Sequence, residues 1–290
     1  MKPPIVKALA SATFFCFTAM KIFAFPVMDP ADTTRRPLVA AADKKQETVI
    51  VLKEANVEFP AILTGNEEQS IDYIEKFSTT RKGYLIRTYN RSKKLFPKAA
   101  AILKKYNVPQ EFNVLLALES GFNPNAISSA GAVGYWQIMD EVAKEYGLKI
   151  VTEKKIEKKK TAKADKKIRK ALLVDERKNF ARSTHAAARY LKDRSRNLNN
   201  DWLLIAASYN CGVGNVWNAM ERSGKKNPTF WDIKNYLPAE TRAYVMNFIT
   251  LNVVFNNFEK FSKNTLCFKP ITCKTADVTN IPALDICASL

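Results

Sequence analysis

Glu119-Ser120-Gly121-Phe122-Asn123-Pro124, continuing through Gly131-Ala132-Val133-Gly134-Tyr135-Trp136-Gln137-Ile138-Met139, is the stretch on which the reading of this chain turns. Ahead of it runs Val108-Pro109-Gln110-Glu111-Phe112-Asn113-Val114-Leu115-Leu116-Ala117-Leu118, where Pro suits the first position of a helix and Leu115, Leu116 and Leu118 supply a core-facing side. A helix ending at Glu119 is expected. Gly121 is the residue type that closes helices at positive φ, and Asn123-Pro124 cannot continue one. A carboxyl group at the rim of an apolar wall loses hydration, so its pKa rises toward the range a general acid needs.

Working outward, residues 140–146 read as a helix that stops at Gly147, and a second helix surrounds Ala186-Ala187-Ala188-Arg189-Tyr190-Leu191. Asp201 offers a cap to the apolar run from Trp202 to Asn210, which Cys211-Gly212-Val213-Gly214 then breaks, placing Tyr209 and Asn210 at a helix end. Leu237-Pro238-Ala239-Glu240-Thr241 opens a last helix carrying Tyr244, Phe248, Leu251 and Phe255 on or near one face. Upstream, Ile71, Ile74, Phe77, Tyr84, Leu85, Tyr89, Leu95, Ala99, Ile102 and Leu103 recur at helical spacing, so residues 68–95 are expected to form a helical arm packed on a domain over 96–258. Strand signals are sparse. The fold class expected is mainly α.

The ends read differently. Residues 1–24 carry Lys2 and Lys7 before an apolar run and match a secretory signal peptide, with an uncleaved membrane anchor as the alternative. Cys16 is no lipid-attachment site, because bulky Phe15 precedes it. Residues 25–67 mix Pro, Asp and Thr with the strand-like Thr48-Val49-Ile50-Val51-Leu52 and read as an extended arm or linker of modest order. The lysine-dominated run over 153–170 reads as a solvated insertion beside the cleft, and residues 259–290 as a cysteine-containing tail. A bridge within that tail fits an oxidising compartment, but spacing leaves the pairing among Cys267, Cys273 and Cys287 open.

A net charge of +18 favours anionic polymers as partners, and export lowers the weight of nucleic acid, which is not expected to bind. His185 is the single histidine and reads as structural, so neither metal nor cofactor is expected.

Four blocks together carry a resemblance. Glu119-Ser120-x-Phe122-x-Pro124, Gly131-x-x-Gly134-x-Trp136-Gln137-x-Met139, Ala207-Ser208-Tyr209-Asn210-x-Gly212-x-Gly214 and Leu237-Pro238-x-Glu240-Thr241-x-x-Tyr244, over roughly residues 96–255, resemble the lytic transglycosylases, nearest the membrane-bound murein transglycosylase D type. The resemblance implies a goose-type, lysozyme-like catalytic domain. It implies cleavage of the β-1,4 bond between N-acetylmuramic acid and N-acetylglucosamine in peptidoglycan, leaving 1,6-anhydro ends. By the same match Glu119 protonates the leaving oxygen and later removes the C6 hydroxyl proton, while the sugar's acetamido group stabilises the cation. Ser128 and Tyr209 would bond near that acetamido group and the acid, Gln137 and Asn210 would hold hydroxyls or amides, Met139 would pack on a sugar face, and Ser120 would support the turn and the carboxylate. Tyr244 belongs to the same candidate set. Trp136 reads as core, and Cys211 as a buried thiol without chemistry.

Asp140 stands where the family often has Pro, and a second carboxylate keeps a hydrolytic muramidase as the rival enzyme. A non-catalytic wall-binding protein is the rival of another class. The expected enzyme is an exported monomer acting on glycan strands in the periplasm or envelope, associated with the membrane only if its N-terminus stays uncleaved. Sugar-binding repeats that often follow the domain in its look-alikes are not found after Phe258.

Overall fold

Two helices that are apolar on almost every side form the centre of the molecule. The computed structural model describes residues 48–151 and 174–275, all within one compact unit. Helix α10 (Ala239–Asn256) buries Val245, Met246, Phe248, Ile249, Leu251, Val253 and Val254, and helix α7 (Trp202–Cys211) buries every residue from Leu203 to Ser208. A helix apolar all round has no face to offer water and must be surrounded. Around this pair lie α1 (Glu67–Thr80), α2 (Lys82–Ser92), α3 (Phe96–Lys104), α4 (Leu115–Ser120), α5 (Asp140–Glu145), α6 (Phe180–Asn197), α8 (Val213–Ser223), α9 (Phe230–Ile233) and α11 (Phe258–Ser262). The mainly helical expectation holds, and α1 packs along α10, which places the upstream helices against the rest.

The caps account for several boundaries. Asp201 Oδ1 accepts from the backbone N–H groups of both Leu203 and Leu204 at 3.0 Å, as its place in the sequence led one to expect. Thr229 and Asp232 form a reciprocal capping box at α9. Asn179 caps α6 by accepting from Arg182 N–H at 3.0 Å.

Three expectations change. The segment before Glu119 is not one helix: a 3-10 turn over Gln110–Val114 tightens the entry and hands on to the short α4. The strand-like run in the supposed linker is strand β1 (Thr48–Lys53), which pairs antiparallel with β4 (Ile271–Thr275) from the tail, Ile50 opposite Cys273. Neither stretch could satisfy its own backbone groups, and each satisfies the other's. The joining goes further, since Asn56 N–H donates to Cys267 O and Asn257 Nδ2 to Glu58 O at 2.7 Å. Third, Cys267 is a buried free thiol and takes no part in a tail bridge, while Cys273 belongs to β4. The expected signal peptide, the lysine-rich run over 153–170, residues 25–47 and Cys287 lie outside the described residues. A second small ribbon pairs β2 (Ile150–Val151) antiparallel with β3 (Val174–Asp175).

His185 Nδ1 meets the Tyr106 hydroxyl at 2.9 Å, and burial lowers its pKa. Among the described residues no helix is long and apolar enough to cross a membrane.

Candidate active site

Helix α4 is only six residues long, yet its end is fixed from three directions. Gly121 closes it at φ 55°, ψ 35°, returning its N–H to the Ala117 carbonyl. Ser120 Oγ donates across to the Tyr135 carbonyl at 2.9 Å, tying the helix end to the glycine loop. Leu115, Leu116 and Ala117 are buried beneath it. Glu119 therefore projects from a rigid stub over an apolar floor.

Its carboxylate meets α10. The Tyr244 hydroxyl donates to Glu119 Oε1 at 2.5 Å, and the Tyr209 hydroxyl lies close enough for the Glu119 charge to be felt by it. Burial is the largest influence on Glu119, raising its pKa to about 7; the Tyr244 hydrogen bond pulls the other way, and the nearby Glu240 charge adds to the rise. Both phenols are pushed well above their ordinary range, first by burial and then by the same carboxylate. They remain neutral donors at any pH at which the acid titrates. The result is a carboxyl group poised near neutrality, oriented by a hydroxyl and able both to give and to take a proton.

The glycine loop that faces it is held on all sides. Trp136 is fully buried, and its Nε1 donates to Thr184 Oγ1 of α6 at 2.9 Å. Its carbonyl accepts from the Tyr209 hydroxyl at 2.7 Å, and Tyr190 packs edge-on against the Tyr209 ring. Gln137 sits at φ 47° and spends its Nε2 on the carbonyls of Ala126 and Gly134, at 3.1 and 3.0 Å. Gly134 has φ 85°, and a Cβ there would lie 2.2 Å from the Arg177 carbonyl oxygen. Arg177 itself is buried: its guanidinium reaches Ile138 O at 3.2 Å, Asp140 Oδ1 at 2.6 Å and Asp175 Oδ2 at 2.8 Å. So the chain beyond the lysine-rich run returns to brace the loop.

Of the residues singled out from sequence, Glu119, Ser120, Tyr209 and Tyr244 come together here. Gln137 and Asn210 engage protein partners, Asn210 Oδ1 accepting from Thr241 Oγ1 at 2.8 Å. Ser128 closes its own turn, its Oγ accepting from Ala132 N–H at 3.0 Å, and Met139 is 36% exposed at the start of α5. Asp140, the second carboxylate of the hydrolase reading, is engaged by Arg177. Cys211 is a half-buried free thiol whose pKa burial raises. Sequence reasoning passed over Glu240, Thr184, Tyr190 and Arg177 as parts of the site. Arg177 stands in the charged run Asp175-Glu176-Arg177-Lys178, a 3-10 turn whose letters give no local sign of burial.

Residues 97–231 match the family model described as Transglycosylase SLT domain. The match stops before α10, so Tyr244 joins the site from outside it. Over 164 residues the chain is 31% identical to the membrane-bound lytic murein transglycosylase D of Escherichia coli (strain K12), covering 56% of this chain and 31% of that one. A putative tributyltin chloride resistance protein of Alteromonas sp. (strain M-1) is 26% identical over 133 residues, 46% of this chain and 55% of the other. The chain thus spans about a third of the first relative's length and about half of the second's. The solved 70 kDa soluble lytic transglycosylase SLT70 from Escherichia coli aligns with a TM-score of 0.42 at 16% identity, over 74% of this chain and 39% of that chain.

Proposed function

We propose that the protein is a peptidoglycan lytic transglycosylase of the cell envelope, with a lysozyme-like catalytic domain, cutting the β-1,4 bond between N-acetylmuramic acid and N-acetylglucosamine and leaving 1,6-anhydro ends. The observation that carries this is the single carboxyl group, Glu119, with its pKa raised to about 7 and a phenol bonded to it. Protonated, it donates to the departing glycosidic oxygen. The carboxylate so formed then accepts the C6 hydroxyl proton as that oxygen closes on the anomeric carbon, so the acid ends the cycle as it began. One carboxyl group suffices because the substrate's acetamido oxygen supports the cationic centre.

In this reading Tyr244 orients the acid and Tyr209 fixes the loop that faces it. Ser120 secures the helix end, and Ser128, Gln137, Met139 and Asn210 line or shape the glycan path. The strongly basic chain favours an anionic wall polymer. The muramidase reading keeps one support, the Glu240 carboxylate whose charge reaches Glu119, since Asp140 is bound to Arg177. Mass spectrometry of sacculi digested by the purified protein separates the two. Anhydro-ended muropeptides are expected; reducing ends would establish the hydrolase, and no release would remove both.

The acid must be protonated before it can act, so the rate is expected to fall about tenfold per pH unit above pH ~7, the value at which Glu119 ionises. Tyr244→Phe removes the hydrogen bond that stabilises the ionised form, so the folded-state pKa rises and the alkaline limb moves to higher pH. A profile measured from pH 5 to 9 checks this. A limb that stayed put or moved down would show that Tyr244 does not act on Glu119.

A further inference from the structure

Three phenols gather on one side of Glu119, and two of them have already given their protons away. The Tyr244 hydroxyl donates to Glu119 Oε1 at 2.5 Å, and the Tyr209 hydroxyl donates to the Trp136 carbonyl at 2.7 Å. A hydroxyl carries a single proton, so either can still accept from a sugar but neither can also donate to one.

The third phenol is Tyr190 of α6. Its ring is fixed by its neighbours: Tyr209 meets it edge-on with centroids 5.6 Å apart, Tyr146 does so at 5.9 Å, and the Arg194 guanidinium lies over its face at 4.7 Å. Tyr209 and Tyr244 are held above their ordinary range first by burial and by Glu119, and then also by Tyr190, so the three hydroxyls share one neighbourhood. Yet the Tyr190 hydroxyl makes no hydrogen bond among the described residues. Nor is it shut in. The unpartnered side-chain polar atoms sealed from solvent there are Asn113 Oδ1 and Arg194 Nε, and Tyr190 itself is only half-buried. A phenol so placed offers an accessible donor on a ring that needs no ordering when a ligand arrives, which lowers the entropic cost of the bond it makes.

We propose that Tyr190 is a further substrate-binding residue of this groove, its hydroxyl donating to an oxygen of the sugar that lies beside Glu119. That the ligand is a sugar rests on the proposed function; the open hydroxyl next to the two committed phenols does not. The assignment divides the work among the three rings: Tyr244 orients the acid, Tyr209 fixes the loop, and Tyr190 holds the glycan.

The test is calorimetric titration of the full chain carrying Glu119→Gln, with a β-1,4-linked oligomer of N-acetylglucosamine as the probe. Adding Tyr190→Phe is expected to weaken binding about three- to tenfold with little change in melting temperature, because the ring and its contacts stay. Tyr146→Phe is the comparison on the same aromatic row: its hydroxyl is spent on Asp193 Oδ2 at 2.9 Å, and its loss is expected to leave binding as it was. In the chain with Glu119 intact, Tyr190→Phe should raise the apparent KM for muropeptide release and leave the alkaline limb of the pH profile where it is. Equal binding with and without the Tyr190 hydroxyl overturns the proposal, and so does no binding by the parent. An equal loss in Tyr146→Phe would make the effect one of packing, and a shifted pH limb would mean that Tyr190 acts through Glu119; either outcome also overturns it. Loss of binding in Tyr190→Phe without any muropeptide release by wild type sinks the catalytic reading alone, whereas release with an unchanged KM in Tyr190→Phe sinks this assignment alone.

Discussion

Glu119→Gln is expected to lower turnover on sacculi by about 10²–10⁴, roughly 3–5 kcal/mol in the barrier, because the amide can neither donate the proton nor take it back. The same substitution is expected to make the protein more stable at alkaline pH. In the unfolded chain the carboxyl titrates near 4.5, and in the folded protein burial moves it to about 7. Between those values the folded state holds a proton that the unfolded state has released, so stability falls as pH rises through the window. Above it the buried charge costs up to about 3 kcal/mol, and below about pH 4.5 it costs nothing. Glutamine removes that cost. The gain in unfolding free energy over wild type should therefore be full at pH 8 and vanish near pH 4. Near-wild-type muropeptide release by a folded Glu119→Gln would end the assignment of the acid, and a stability gain independent of pH would show that the carboxyl is not dehydrated.

Gly134→Ala is expected to cost about 3–5 kcal/mol of stability and most of the activity. Two penalties add: a left-handed backbone for a residue with a Cβ, and a Cβ placed 2.2 Å from a backbone oxygen that no side-chain rotation can relieve. Moving Arg177 aside would disturb its bonds to Ile138, Asp140 and Asp175. Gly131 supplies the internal comparison. It too has positive φ, 86°, but open space where its Cβ would go, so Gly131→Ala should cost only about 1–2 kcal/mol. Denaturant midpoints for the two variants decide it; equal losses would mean that the approach of Arg177 does not constrain the loop.

The stability–activity opposition at Glu119 follows from where the residue sits. An acid that works near neutrality must be dehydrated, and a dehydrated acid is a burden once ionised. The fold bears the burden because α7 and α10 bury so much apolar surface around it, and because Tyr244 returns part of the lost hydration as a hydrogen bond.

Local signals were enough for much of this. Gly121 after an apolar run marks a helix end and Asp201 before Trp202 marks a start, because caps, turns and periodicity act over a few residues and are written in consecutive letters; four ordered blocks, by resemblance, named Glu119 as the candidate acid. The letters could not say that Tyr244 reaches Glu119 across 125 positions, that Arg177 closes behind Gly134, or that a strand at Thr48–Lys53 finds its partner at Ile271–Thr275. They suggested Asp140 as a second carboxylate and could not show the guanidinium that occupies it. Those outcomes depend on which buried surfaces come to face one another, and in this protein it was the packing of α4, α7 and α10 that turned a plausible glutamate into one held near its neutral form.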